Sequence, residues 1–309
     1  MSAPATMLPG FAAADVEVAT DAGPPLRIRA ATAGSGPPLL LLHGHPQTHA
    51  TWRAAAPRLA ERFTVVAPDL RGYGDSGKPP SDDAHLAYSK RAMARDQVRL
   101  MRALGHTSFA VAGHDRGGRV AHRMALDHPA AVERLAVLDI APTATMYART
   151  DREFASRYYW WFFLIRPAPL PEEMIAGATE TFLRTHLREQ SGTPGVPEED
   201  LAREYLRCYR DPDTVRAVCE DYRAAATVDL EHDAADAREG RLLTRPLLAL
   251  WGARGTVGRL YDVPATWREV SGAPVDGEAL DCGHLVQEER PGETAARLEA
   301  FLAPEPDHR

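Results

Sequence analysis

Five short apolar runs, at 38–42, 64–67, 109–112, 135–138 and 247–250, constrain this chain more than any other feature. Each is unbroken rather than alternating, as a strand covered on both faces requires. Helical stretches lie between several of them. One, Ser89 to Leu104, sets Met93, Val98, Leu100, Met101 and Leu104 in an apolar stripe among arginines. Buried strands alternating with helices imply an α/β fold with a mostly parallel central sheet flanked by helices. An earlier strand pair is read at Val16–Thr20 and Leu26–Thr32, around the turn residues Asp21 to Pro25. The alternation lapses between Ile140 and Pro246, where aromatics gather at Tyr158 to Phe163 and prolines at Pro167 to Pro171. That stretch suits an inserted helical cap, giving a core of residues 1–143 and 240–309 and a cap of residues 144–239.

Composition fits this plan. A chain of 309 residues, 44% hydrophobic and 26% charged, buries a large core and keeps a polar surface. Its net charge of -7 offers no basic face for phosphates, so nucleic acid is not an expected partner. Cys208, Cys219 and Cys282 are odd in number and lack Cys-x-x-Cys spacing. Neither a disulfide framework nor a zinc site is expected, no cofactor is called for, and a reducing cytoplasm is the expected location. No export signal and no apolar stretch of membrane-spanning length is read. The polar tail Pro304 to Arg309 is expected to fray.

The strongest local motif is Gly113-His114-Asp115-Arg116-Gly117-Gly118, between a buried strand and the helical stretch Arg119 to Asp127. A sharp strand-to-helix turn there pushes its central side chain into a site, and the flanking glycines let strand and helix approach closely. Serine is usual at the centre. A carboxylate cannot follow the serine acyl-transfer route, yet it can attack saturated carbon and form an ester that water then hydrolyses. Alone, the hexapeptide would be better read as a glycine-rich turn with a surface aspartate. Two companions weigh against that. His43-Gly44-His45-Pro46 follows the strand at Leu39 to Leu42, where amides of His45 and Arg116 would face a developing oxyanion. Cys282-Gly283-His284 falls late in the chain, where such folds carry the catalytic histidine, and His284 is read as the general base. His122, His128, His186 and His232 lie in polar stretches without a motif and are expected at the surface or in structural roles. For the acid that orients His284, the run after Leu247–Trp251 is Gly252-Ala253-Arg254-Gly255, which offers none. Asp139, closing an apolar strand, is assigned by elimination and by position.

Together these motifs resemble the haloacetate dehalogenases, fluoroacetate dehalogenase among them, a family with the α/β-hydrolase fold. The likeness extends to Asp69-Leu70-Arg71-Gly72-Tyr73-Gly74, Leu138-Asp139-Ile140, Pro167-Ala168-Pro169-Leu170-Pro171-Glu172 and Cys219-Glu220-Asp221-Tyr222-Arg223-Ala224. It implies Asp115 as nucleophile, His284 as base, Asp139 as acid, and Arg116 and Arg119 as the grip on a substrate carboxylate. It also implies a small haloacid and water as reactants, and a homodimer. The family's halide pocket holds a histidine, the tryptophan after it and a later tyrosine. Here Trp161 and Tyr222 match, but Trp160 stands at the histidine position. An indole is larger and cannot become a cation, so chloride and bromide are expected to leave faster than fluoride.

Two other readings stay open. An epoxide hydrolase also uses an elbow aspartate and could draw on Tyr158, Tyr159 and Tyr222, although Arg116 suits an anionic substrate. A non-catalytic receptor could retain the same fold.

Overall fold

The structure, a computed structural model, describes residues 6–21 and 23–303, so the tail at 304–309 lies outside the described residues. Its centre is an eight-stranded sheet in the order β1-β2-β4-β3-β5-β6-β7-β8. The strands are β1 (Ala12–Val18), β2 (Leu26–Ala33), β3 (Pro38–Leu42), β4 (Thr64–Pro68), β5 (Phe109–His114), β6 (Val132–Leu138), β7 (Leu247–Gly252) and β8 (Val275–Leu280). β2 runs antiparallel to both β1 and β4, and every other pairing is parallel. The first strand begins four residues earlier than its composition suggests, at Ala12 instead of Val16. Its alanines have little preference for a strand, but full pairing from Ala12↔Thr32 to Val18↔Leu26 holds them there.

The unbroken apolar runs serve two cores. Leu40, Leu42, Val66, Val111, Leu135, Val137, Leu247 and Ala249 face one side, against Met93, Val98 and Met101 of the Lys90–Ala103 helix and Val120 and Met124 of the Arg116–Asp127 helix. Their neighbours Leu39, Leu41, Val65, Ala112, Ala136, Leu138, Leu248 and Leu250 face the other, against Trp52, Leu59 and the helix Pro291–Leu302. The period of two explains why no polar residue interrupts these strands. Each fully buried leucine, valine or methionine among them contributes about 1.5–3 kcal/mol of apolar transfer.

Between β6 and β7 the chain forms eight helices and no named strand among the described residues. The carboxyl ends of β3, β5, β6 and β8 run into the segments carrying His45, Asp115, Asp139 and His284, the end of a parallel sheet where ligands bind. Among the described residues no helix is long and apolar enough to cross a membrane.

The turn from β5 into the Arg116–Asp127 helix depends on close backbone packing. A Cβ on Gly117 would lie 2.4 Å from the carbonyl oxygen of His43 and 2.6 Å from Cβ of Leu42. Gly117→Ala should therefore lower the thermal midpoint by several degrees, since overpacking costs about 1–3 kcal/mol. Gly292, in the first turn of the last helix with nothing within 4 Å of its Cβ position, is the control. Gly292→Ala should leave the midpoint unchanged or raise it, as followed by circular dichroism.

Candidate active site

Asp115 caps the Arg116–Asp127 helix with φ 43° and ψ −113°, a backbone conformation that side chains rarely adopt. The strain aims its carboxylate at the β3 loop, where the amide of His45 donates to Oδ2 at 3.1 Å. Gly44 permits this approach, because a Cβ there would sit 2.6 Å from that of Asp115. The amide of Arg116 opens the helix next to it. Burial opposes ionisation of Asp115, but the charges of His284, Arg116 and Arg119 outweigh it and hold the carboxyl well below its usual range. The helix N-terminus favours the same anion.

His284 is buried, its Nδ1 lies 2.6 Å from Oδ2 of Asp139, and its Nε2 has no hydrogen-bond partner among the described residues. The other oxygen of Asp139 accepts from the amide of Gly252 at 2.9 Å. The β7 end that lacks an acid thus contributes a backbone donor to the acid at the end of β6. Burial alone would lower the pKa of His284. The hydrogen bond to Asp139 and the charges of Asp139 and Asp115 reverse that and raise it.

Both elbow arginines are buried, in different settings. Arg116 donates from Nε and Nη2 to the two carboxylate oxygens of Asp221, each at 2.9 Å, and from Nη2 to that residue's carbonyl at 2.8 Å. Lys90 and the hydroxyl of Tyr73 also bind Asp221. Only Nη1 of Arg116 is unpartnered, and the guanidinium carbon lies 4.2 Å from the ring centre of Tyr222. Arg119 donates from Nη1 to Thr143 Oγ1 at 2.8 Å and to the carbonyl of Ala141 at 3.2 Å, while its Nε is unpartnered. Its guanidinium stacks on Trp161 at 4.8 Å and has no carboxylate hydrogen-bonded to it among the described residues. It is not a surface ion pair.

The aromatic residues come from the insertion. Trp161 is buried with Nε1 unpartnered, 6.5 Å between ring centres from Tyr222. The Tyr222 hydroxyl and Nδ1 of His45 are 3.3 Å apart, and Nε2 of His45 bonds the hydroxyl of Tyr209. Burial pushes the pKa of His45 down to about 3, so its ring is neutral. Trp160 is buried too and lines a cavity of about 70 Å³ with Tyr158, Gln190, Gly255 and His284.

Several residues here carry no functional assignment from the sequence. Asp221, which anchors Arg116, leaves no local sign beyond preceding Tyr222. Lys90, one of two lysines, opens the ordinary helix Lys90–Ala103. His186, expected at the surface or in a structural role, is fully buried beside His45 and Trp160. Its sign was present: Leu183, His186, Leu187 and Gln190 are the buried positions of the Thr179–Gln190 helix, at the spacing of one helical face.

A strained elbow with a buried carboxylate, a late histidine and a parallel sheet define the class. The chain belongs to the alpha/beta hydrolase family, whose fold model matches residues 37–291. It is 44% identical to a fluoroacetate dehalogenase of Burkholderia sp over 278 residues, 89% of this chain and 90% of that one. It is 37% identical to a soluble epoxide hydrolase of Corynebacterium sp. strain C12, over 90% of this chain and 94% of the other. A crystal structure from Salmonella enterica, given provisionally as an acyltransferase, superposes with TM-score 0.92 at 55% identity, covering 97% of both chains.

Asp221 pairs with two buried cations, so removing its charge should leave Arg116 without its hydrogen-bonded carboxylate and Lys90 with Asp229 alone, 3.8 Å away. Asp221→Asn is expected to cost about 3–5 kcal/mol of folding stability. A urea-unfolding midpoint equal to that of the parent would contradict the pairing.

Proposed function

We propose that the chain is a hydrolytic dehalogenase of short haloacids, with residues 144–239 as a cap on a core of 1–143 and 240–309. The observation that carries this reading is the pair of buried guanidiniums beside Asp115, each with one unpartnered nitrogen, Nη1 of Arg116 and Nε of Arg119. Two such donors can hold a substrate carboxylate and offset its repulsion from the nucleophile. The 44% identity to a fluoroacetate dehalogenase supports it. The three unpaired, buried cysteines suit a cytoplasmic enzyme. Its partners would be a haloacid, water and, as a homodimer, a second copy of the chain.

In this reading an oxygen of Asp115 attacks the α-carbon of the acid. A C–O bond forms as the carbon–halogen bond breaks, and the halide leaves with the bonding pair, toward Trp160, Trp161 and Tyr222. Nε2 of His284 then takes a proton from water, and the hydroxide adds to the ester carbonyl of Asp115. The amides of His45 and Arg116 face the resulting oxyanion. Collapse frees the 2-hydroxy acid, whose oxygen takes the proton back from His284, and Asp115, now carrying one oxygen and the second proton of the water, loses that proton to solvent and returns as the carboxylate.

An epoxide hydrolase is the competing reading. It is supported by the relative at 37% identity and by the compensation of Arg116, two of whose three guanidinium nitrogens are already bound to Asp221. Halide release from chloroacetate, set against diol formation from styrene oxide, separates the two. In His284→Ala, chloroacetate should leave a carboxymethyl group on the peptide containing Asp115. Mass spectrometry showing an unmodified peptide in a variant that still binds substrate would remove Asp115 as nucleophile.

A pH consequence follows. The charge of Asp115 helps raise the pKa of His284, and the ester abolishes that charge. His284 must be neutral to act, so ester hydrolysis should persist to lower pH than the titration of His284 in the free protein indicates. Single-turnover rates compared with the NMR titration of the His284 ring test this, and coincident midpoints would reject it.

A further inference from the structure

Between β6 and β7, His186 is a buried side chain that the proposed mechanism leaves without a task and the hydrogen bonds leave without a partner. It is fully buried, and neither Nδ1 nor Nε2 has a hydrogen-bond partner among the described residues. Its ring centre lies 4.4 Å from that of Trp160 and 4.7 Å from that of His45, edge to face in both cases. His45 in turn packs on Tyr222 at 5.4 Å, and its amide binds the carboxylate of Asp115. His186 therefore belongs to a run of packed rings, Trp160–His186–His45–Tyr222, that includes the residue whose amide binds Asp115. Burial, with His45 and His284 nearby, holds its pKa well below the usual imidazole range, so the ring is neutral. A neutral imidazole has one N–H to donate and one nitrogen to accept, and burying both unpaired is costly. A polar group supplied by a ligand resolves that cost.

We propose that His186 is a donor to the departing halide, supplying from the Thr179–Gln190 helix the imidazole that the Tyr159–Phe163 helix lacks at Trp160. The proposal rests on the haloacid reading and assigns a specificity-determining residue within it. The two touching rings have the opposite order to the one the family resemblance implies: indole where imidazole is expected, with imidazole against its face. The N–H of His186 strengthens its bond as charge grows on the halogen. Fluoride, small and poor as a leaving group, depends on that donor most, and bromide least.

The test measures halide release from fluoro-, chloro- and bromoacetate by the parent, His186→Phe and His186→Gln. Phenylalanine keeps a flat ring without an N–H, and glutamine restores a donor. Loss of one donor from an anion-stabilising site lowers rate by roughly a hundredfold or more. In His186→Phe that loss is expected for fluoroacetate, with only a few-fold change for bromoacetate and partial recovery of fluoride release in His186→Gln. The exchange Trp160→His with His186→Trp should retain more fluoride release than His186→Trp alone. An equal fall for all three halogens, or none, would overturn the assignment and leave the haloacid reading standing. A parent protein releasing no halide from any of them would bring down both. Should His186→Phe lose its cooperative thermal transition, the same contrast is read from His186→Gln and from bromide quenching of tryptophan fluorescence in the parent. Fluorescence unaffected by bromide, together with a uniform effect of glutamine across the halogens, rejects the proposal.

Discussion

The buried carboxylate of Asp221 holds three parts of the molecule together. It sits on the Pro212–Ala226 helix of the insertion and binds Arg116 on the elbow helix, Lys90 on the helix before β5, and Tyr73 on the β4 loop. Buried charges are stable only where the geometry between them is good; Lys90 has a second carboxylate in Asp229, 3.8 Å away, and Nη1 of Arg116 alone is left over from that guanidinium. Here the guanidinium meets both carboxylate oxygens and the carbonyl of the same residue. The insertion is thereby registered on the sheet by charge, at a point one residue from Tyr222 and one from Asp115.

That registration sets the electrostatics of the site. Arg116 is held so that a single nitrogen remains unpartnered, and Arg119 is held by a hydroxyl and a carbonyl so that its Nε does. Neither arginine has freedom to collapse onto Asp115 and quench it. The aspartate stays ionised although buried, bound by the His45 amide, with positive charge close by and the His45 ring neutral. Such preorganisation is costly during folding and saves reorganisation during reaction.

How much of this was legible in the sequence follows from the range of each signal. The sheet was legible because a buried parallel strand writes itself as a short apolar run, and the elbow because glycines crowd around one residue. Asp139 was reached by elimination, and the structure puts it 2.6 Å from His284. Pairings over long separations were not legible: Asp221 lies 105 residues from Arg116 and 131 from Lys90, and nothing local marks either bond. His186 was hidden differently, since Arg184 and Arg188 beside it made the stretch look solvent-facing while its position in the helical repeat pointed inward.

The backbone of the base loop is tied to the insertion as well. The amide of His284 donates to the carbonyl of Gln190, the last residue of the helix carrying His186, at 2.9 Å. The amides of Gly192 and Gly283 both donate to Glu289 just below. A motion that lifted this helix to admit a molecule would break the strap that seats His284. In the haloacid reading, entry and hydrolysis would then belong to different conformations, as in an airlock: with the door open His284 would be out of register, and an ester already formed would wait until the door shut.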